Sequence, residues 1–535
     1  MLPRSLSQRF AIGLLPAAFL LILLFAPVCR LLFEGGGGAL AGMVGPLWQD
    51  DYLRWRIVWT FLQAALTCLL ALVLGLPVAW VLARYDFAGR TLVLRLLMLP
   101  FVVPTLVAAL GVLALWGPRG LLSGWLGFHL QGTPWLLLYG NLFFNLCVVV
   151  RAGVDALGQV SAARVAAART LGATPWRAFW RVEWPAVAPW LASALCLVFL
   201  YCFSGFGLAL ILGGQRFATV EVEIYTLVAH ELKIAEAGAL ALCMMVLNGG
   251  IAWLYALVEK RLAAPGRADV IALRQPANFW QWGAVAAALF VLLVFCAAPL
   301  LAIVMRATLA GPSVLAVLLA EETRLALGNT LRFSFCALAL ATVLGLTHAL
   351  AARQSVWLRA SAFLPFVVSP VTVAFGLLLL YPQWTASLSL LLAAYALLAY
   401  PFVAKSIGSA LDSLPGNLEQ AARTLGASPW RCFWRVTLPL ISPALRRGMA
   451  FAAATSLGEF AVTLFLSRPE WMTLTTLIYQ RLGQPGAANL DAALVLACLL
   501  MALSLSAFLL IERTPGRGVA AAASRANRRK DHLHA

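Results

Sequence analysis

Twelve apolar stretches, each long enough to cross a bilayer as a helix, run through the 535 residues and limit the folds open to this chain. A hydrocarbon core about 30 Å thick calls for roughly 20 apolar residues at about 1.5 Å of rise each. The stretches lie at about 10–29, 57–83, 92–116, 135–150, 191–212, 237–258, 281–305, 330–352, 361–380, 386–404, 443–465 and 489–511. Composition agrees, with 62% hydrophobic and only 11% charged residues, against roughly 25% charged in a soluble domain. The expected class is an all-α integral membrane protein with twelve transmembrane helices. Arg4 and Arg9 precede the first stretch as they would a secretory signal. Its apolar run is longer than the roughly 7–15 residues of a signal, so an uncleaved anchor is expected.

The formal net charge of +18 has two possible meanings, nucleic acid or membrane. Its distribution separates them. With the N-terminus in the cytoplasm, the loops assigned to the outside are neutral and the whole positive excess falls inside, which is the orientation bias of membrane proteins. Both termini are then cytoplasmic. The basic tail with Arg525, Arg528, Arg529 and Lys530 is expected against anionic membrane lipid. No compact basic domain remains to bind nucleic acid. The ten cysteines are scattered singly, without Cys-x-x-Cys or Cys/His spacing, so neither a disulfide frame nor a metal site is expected.

The chain also repeats itself. Residues 167–185 read AARTLGATPWRAFWRVEWP and 421–439 read AARTLGASPWRCFWRVTLP, with fifteen of nineteen positions identical at an offset of 254. The same offset aligns Arg151 with Lys405, Pro189 with Pro443, Phe206 with Phe460, and Tyr225 with Tyr479. LPFVV at 99–103 recurs at 364–368, and VLGL at 73–76 recurs at 343–346. Two copies of a six-span unit follow, and an even number of spans inserts both copies in parallel orientation. The expected division is an anchor helix and outer loop at 1–50, a first domain at 51–262, a linker with the seventh span at 263–323, a second domain at 324–512, and a basic tail at 513–535.

The most similar stretch is a polar loop between the fourth and fifth spans of each half, on the cytoplasmic side. A loop is free to vary unless it contacts something. Residues 161–171 and 415–425 are Ala-rich and predict a short helix. Gly172 and Gly426 stand where a left-handed cap is wanted, and Pro175 and Pro429 are expected to stop the helix. WRAFWRV or WRCFWRV then places aromatic and basic residues along the membrane face, with Pro185 and Pro439 closing each stretch before the next span.

This layout resembles the "EAA" loop of ABC-importer permeases: Glu-Ala-Ala, three residues, Gly, then a hydrophobic-x-Pro. In the second copy Glu419, Ala422 and Gly426 stand near these places and Pro439 closes the motif, with Gln420 at the first Ala position; the first copy has Ala166, Ala167, Gly172 and Pro185, with Val165 where the acid usually stands. The resemblance covers nearly the whole chain. It implies two tandem type I ABC permease domains in a bacterial inner membrane. It also implies that the loop is a coupling helix fitting a groove on a separate ATPase, so that Ala167, Ala168, Arg169, Leu171, Gly172, Glu419, Ala422, Arg423, Leu425 and Gly426 form the contact. None of the four lysines, Lys233, Lys260, Lys405 and Lys530, follows a glycine, so there is no P-loop. ATP and Mg would be bound by the partner, which two loops would engage as two copies; no cofactor and no catalytic residue is expected in this chain.

Inside the membrane an ionisable group is a functional candidate by default. Glu459 is the acid placed in a span, opposite Gly205 in the other copy, and the two could frame a gate or a cation pathway. Outer water or neighbouring backbone would account for Glu459 equally well. Asn141 and Asn145 share a helix face, but helix-to-helix hydrogen bonding explains such amides more often than solute contact. Two importer subfamilies are similar to this chain, one serving thiamine and its phosphates, the other ferric iron. RVEWP at 181–185, FSGFGLALILGG at 203–214, VEIY at 222–225 and ERTPGR at 512–517 favour thiamine. The resemblance further implies a periplasmic solute-binding protein that does most of the selecting. An ion-coupled secondary transporter would also have twelve spans in two parallel halves, but has no need of a doubled docking loop. A non-transporting membrane scaffold is the remaining alternative.

Overall fold

The computed structural model describes residues 6–36, 49–260, 271–311, 313–353, 355–362, 364–385, 387–466 and 468–512. The basic tail at 513–535 and part of the linker, 261–270, therefore lie outside the described residues. Among the described residues all regular structure is helical, and an isolated bridge joins the extended backbone of Tyr85 and Arg274.

Among the described residues ten helices are long and apolar enough to cross a membrane: Ile12–Leu31, Asp51–Arg84, Thr105–Leu126, Pro134–Leu157, Pro175–Phe203, Ile234–Val258, Phe279–Leu309, Glu321–Ala352, Leu388–Ser413 and Ala487–Ile511. Leu358–Val367 and Pro370–Leu380 meet at 95° and make an eleventh if counted as one broken span. At the place of the remaining expected span stands Leu438–Leu457, which carries Arg446 and Arg447. Side chains such as Leu21, Phe290, Phe335 and Leu510 are exposed, as a surface solvated by lipid requires. The helix Glu321–Ala352 starts ahead of the expected domain boundary at 324.

Four expected spans are interrupted, the bent 361–380 among them. The stretch 92–116 divides into Arg90–Leu96, Leu99–Val102 and Thr105–Trp116 around Pro100 and Pro104, since proline removes a donor and disfavours helix in the residue before it. The stretch 191–212 stops at Phe203 and resumes as Gly207–Leu212, while 443–465 stops at Leu457 and resumes as Ala461–Leu466. The last two breaks occupy matched positions in the two copies.

Proline also explains four π-turns. In Leu21–Phe25, Phe179–Glu183, Leu293–Ala297 and Phe433–Thr437 the next residue donates its N–H five residues back, and a proline follows at once: Pro27, Pro185, Pro299 and Pro439. The wider turn changes the hydrogen-bond register just where a donor is missing, so each helix continues through its proline. Pro185 and Pro439 thus do not close the loop, contrary to the sequence expectation. WRAFWRV and WRCFWRV run straight into the following helices.

The two halves are interlocked by their first helices. The N-terminal helix packs on Glu321–Ala352 and Pro370–Leu380 of the other half, and Ala298–Leu309 packs on Thr105–Trp116. Each contact passes over a matched glycine. A Cβ at Gly376 would come within 2.9 Å of Pro27, and one at Gly111 within 2.7 Å of the Pro299 carbonyl. Within each half, Gly75 meets Val149 and Gly345 meets Val403, again at matched places. Small residues let the backbones approach this closely, which is how helices pack in lipid.

Candidate functional site

Both repeated loops fold alike. In the first, Ser161 accepts a hydrogen bond from the Arg164 N–H and opens the helix Ala162–Thr170; in the second, Pro415 precedes Gly416–Thr424. Gly172 and Gly426 take φ of 82° and 85°, a region in which a side chain costs about 1–2 kcal/mol. Thr174 and Ser428 then cap Pro175–Ala178 and Pro429–Cys432. Pro175 and Pro429 therefore start the second helix as first-turn prolines. At the turn between the two short helices Leu171 and Leu425 are each 88% exposed, flanked by Trp176 and Trp430 at 69%. Ala167 and Arg169 are exposed and Ala168 half-buried; Ala422 and Arg423 are half-buried. The result is two apolar knobs of the same shape.

The loops differ in their ionic attachment. The Glu419 carboxylate accepts from the Arg353 guanidinium and from the Thr437 hydroxyl, both at 3.2 Å. Partial burial alone would raise this carboxyl. The charge and hydrogen bond of Arg353, with Thr437 assisting, outweigh burial and hold it below the usual carboxylate range. At the matched position of the first loop Val165 packs half-buried against the core.

The four pathway candidates come together. Asn141, Asn145, Gly205 and Glu459 all line one cavity of about 310 Å³ at the interrupted helices of both halves. Its wall is mostly apolar and includes the aromatic residues Phe101, Phe144, Tyr201, Phe206, Phe366, Phe402 and Phe460. Glu459 does not lie within a continuous helix, although an unbroken span over 443–465 implies one. It sits at the break before Ala461–Leu466, where its carboxylate accepts from the Val462 N–H at 2.9 Å. Asn141 donates to Gln63 at 2.7 Å, and Asn145 to the Asn141 carbonyl at 2.8 Å and the Cys202 sulfur at 3.2 Å. These amides tie helices together while also facing the cavity. Tyr395, matched to Asn141, hydrogen-bonds Thr463 instead.

Sequence reasoning gave two groups here no role. Phe206 and Phe460, matched at the 254 offset, stack on each other across the halves with centroids 5.9 Å apart and planes at 22°. Tyr225 and Tyr479 flank them edge-on or tilted at 5.7 and 5.2 Å. The offset was the available signal, since matched residues that meet must lie near the axis relating the copies. Glu221 had no such signal, because its segment reads as loop. It lies on the helix Val220–Thr226, fully buried, accepts from the Ser369 hydroxyl at 2.6 Å, and keeps its other carboxylate oxygen without a hydrogen bond. Ser369 lines the cavity and caps Pro370–Leu380 at the break.

The family model described as "Binding-protein-dependent transport system inner membrane component" matches residues 71–264 and 341–513. The chain is 30% identical over 498 residues to the thiamine transport system permease protein ThiP of Escherichia coli (strain K12), covering 88% of this chain and 91% of that one. It is 29% identical over 528 residues to the protein of the same name from Salmonella typhimurium (94% and 96% covered). With that from Haemophilus influenzae it shares 27% over 506 residues (88% and 92% covered).

Proposed function

The chain belongs to the family of binding-protein-dependent transport system inner membrane components, and on that premise we propose that it is the permease through which an ATP-driven importer moves thiamine, or its phosphates, across the bacterial inner membrane. The observation that carries this reading is the doubled loop, which keeps both its sequence and its exposed leucine in two copies. Two apolar knobs left exposed among the described residues fit a motor supplied by other subunits. Leu171 and Leu425 would be the central contacts with two ATPase copies, with Ala167, Ala168, Arg169, Gly172, Glu419, Ala422, Arg423 and Gly426 shaping their helices. The twelve spans, two six-helix units in parallel orientation and cytoplasmic termini belong to this reading, supported by the repeat and by the one-sided positive charge. The domain division at 51–262 and 324–512 goes with them.

Closure of the ATPases on ATP would draw the two loops together. Each loop continues through a π-turn into a membrane-crossing helix, so the displacement reaches the interrupted segments around the cavity without a flexible joint. The stacked Phe206 and Phe460 would part as the halves separate. A periplasmic binding protein would deliver the solute to that opening.

Thiamine is preferred to ferric iron because the relatives that match over most of their length carry that name. The cavity agrees in chemistry. Thiamine carries a flat cationic thiazolium ring, and aromatic side chains with one carboxylate hold such a group through cation–π attraction and charge. Gly205, opposite Glu459, leaves room for it. The test is uptake of labelled thiamine by membranes containing this chain with its ATPase and binding protein. ATP-dependent accumulation is expected; accumulation driven by an ion gradient without ATP would favour the secondary-transporter alternative.

A further inference from the structure

The first loop lacks the acid that the second uses, yet the structure puts a carboxylate in the corresponding place. In the second half, Glu419 lies between Arg353, at the end of the helix Glu321–Ala352, and Thr437, the last residue of the π-turn. In the first half, Arg84 ends the helix Asp51–Arg84 and pairs with Glu183 at 2.7 Å. Glu183 is the last residue of its π-turn and matches Thr437 at the 254 offset, just as Val165 matches Glu419. The two arginines lie one place apart in the register set by VLGL. The carboxylate therefore meets the same arginine end and the same turn in both halves, but reaches them from different residues. The Arg84–Glu183 pair is also the more enclosed, with side chains 12% and 9% exposed, against 29% and 18% for Arg353–Glu419.

We infer that Glu183 is a positioning residue that replaces the missing loop acid, fastening the end of the second span to the start of the fifth so that both follow the loop. This rests on the docking reading of the loops. It assigns the two loops unlike attachments. The second is held by charge through its own helix, whereas the first is held by apolar packing of Val165 and its charge pair lies one element later. The double change Val165→Glu/Glu183→Thr, which gives the first half the arrangement of the second, should therefore retain most of the function that Glu183→Thr alone loses.

The test uses the full chain assembled with its ATPase and binding protein in lipid vesicles, reading thiamine uptake, ATP hydrolysis and thermal stability. Glu183→Thr strands a half-buried arginine and should lower uptake about tenfold or more. Val165→Glu/Glu183→Thr should return uptake to within about threefold of the parent, the margin left by context in such exchanges. Arg84→Met/Glu183→Thr removes both charges; it should restore stability but not uptake. Parental uptake in Glu183→Thr would overturn the inference, as would failure of the exchange to rescue. Recovery in Arg84→Met/Glu183→Thr equal to that of the exchange would also overturn it, because Glu183 would then merely neutralise Arg84. Leu171→Asp/Leu425→Asp separates the two readings: if it still retains the ATPase, the docking reading itself fails, whatever Glu183 does.

Discussion

The repeated loops and the cavity walls descend from the same duplication and have aged differently. In the loops, fifteen of nineteen residues are unchanged, and the left-handed glycines, capping hydroxyls, π-turns and exposed leucines coincide. In the cavity, a frame survives in Phe101 and Phe366, and in Phe206 and Phe460. The polar residues do not. Gly205 faces Glu459, and Asn141 and Asn145 correspond to Tyr395 and Ala399. A pair of identical motor subunits would require two identical surfaces, whereas a single small solute is asymmetric and is bound best by unlike walls.

The comparison breaks first at the loop tips. A charge on each knob, as Leu171→Asp/Leu425→Asp, should reduce ATPase retention on the purified chain by about a hundredfold, as expected when central apolar anchors of an interface are lost. A smaller effect is expected in the cavity. Glu459→Gln keeps an oxygen for the Val462 N–H but removes the charge; uptake of thiamine should fall about tenfold, within the range of a desolvated charge contact, with ATPase retention unchanged. If retention fell instead, loops and cavity would not be separable modules.

Gly172→Val and Gly426→Val test the shape of the loops without adding charge. Each places a side chain at a φ above 80°, at a cost of about 1–2 kcal/mol, so ATPase affinity measured by titration should weaken about fivefold to thirtyfold. Equal losses in the two variants would sharpen the symmetry of the knobs. The smallest effect concerns pH. The Glu419 carboxyl is held below its ordinary value by Arg353, so the stability it contributes is present above the unfolded value near 4.3 and lost as pH falls through the lowered one. Between about pH 6 and 8 the Arg353–Glu419 attachment should contribute no slope to thermal stability. A slope removed by Glu419→Gln would contradict that assignment.

Long apolar runs and a doubled nineteen-residue block were enough to read the class, the repeat and the loop helices, because lipid and duplication both leave periodic marks. The breaks at Gly205 and Glu459 were not legible. An apolar run looks the same whether its helix is continuous or turns at a glycine, and so the sequence shows Glu459 only as lying within a span. The π-turns escaped for a related reason, since proline marks a missing donor but not how the backbone compensates. Val165 was visible as a departure; its remedy at Glu183 was not, because only the folded turn brings residue 183 to Arg84. Glu221 and Ser369 meet from opposite halves, a contact no spacing in the chain announces.

The account depends on the two knobs touching ATPase subunits, and photo-crosslinking tests this most directly. A photoreactive amino acid in place of Leu171 or, separately, Leu425 should label the ATPase subunit from both positions in the assembled complex, each copy at one site. Labelling from neither position, or reaction of both with a reagent confined to the outer face of the membrane, would contradict it.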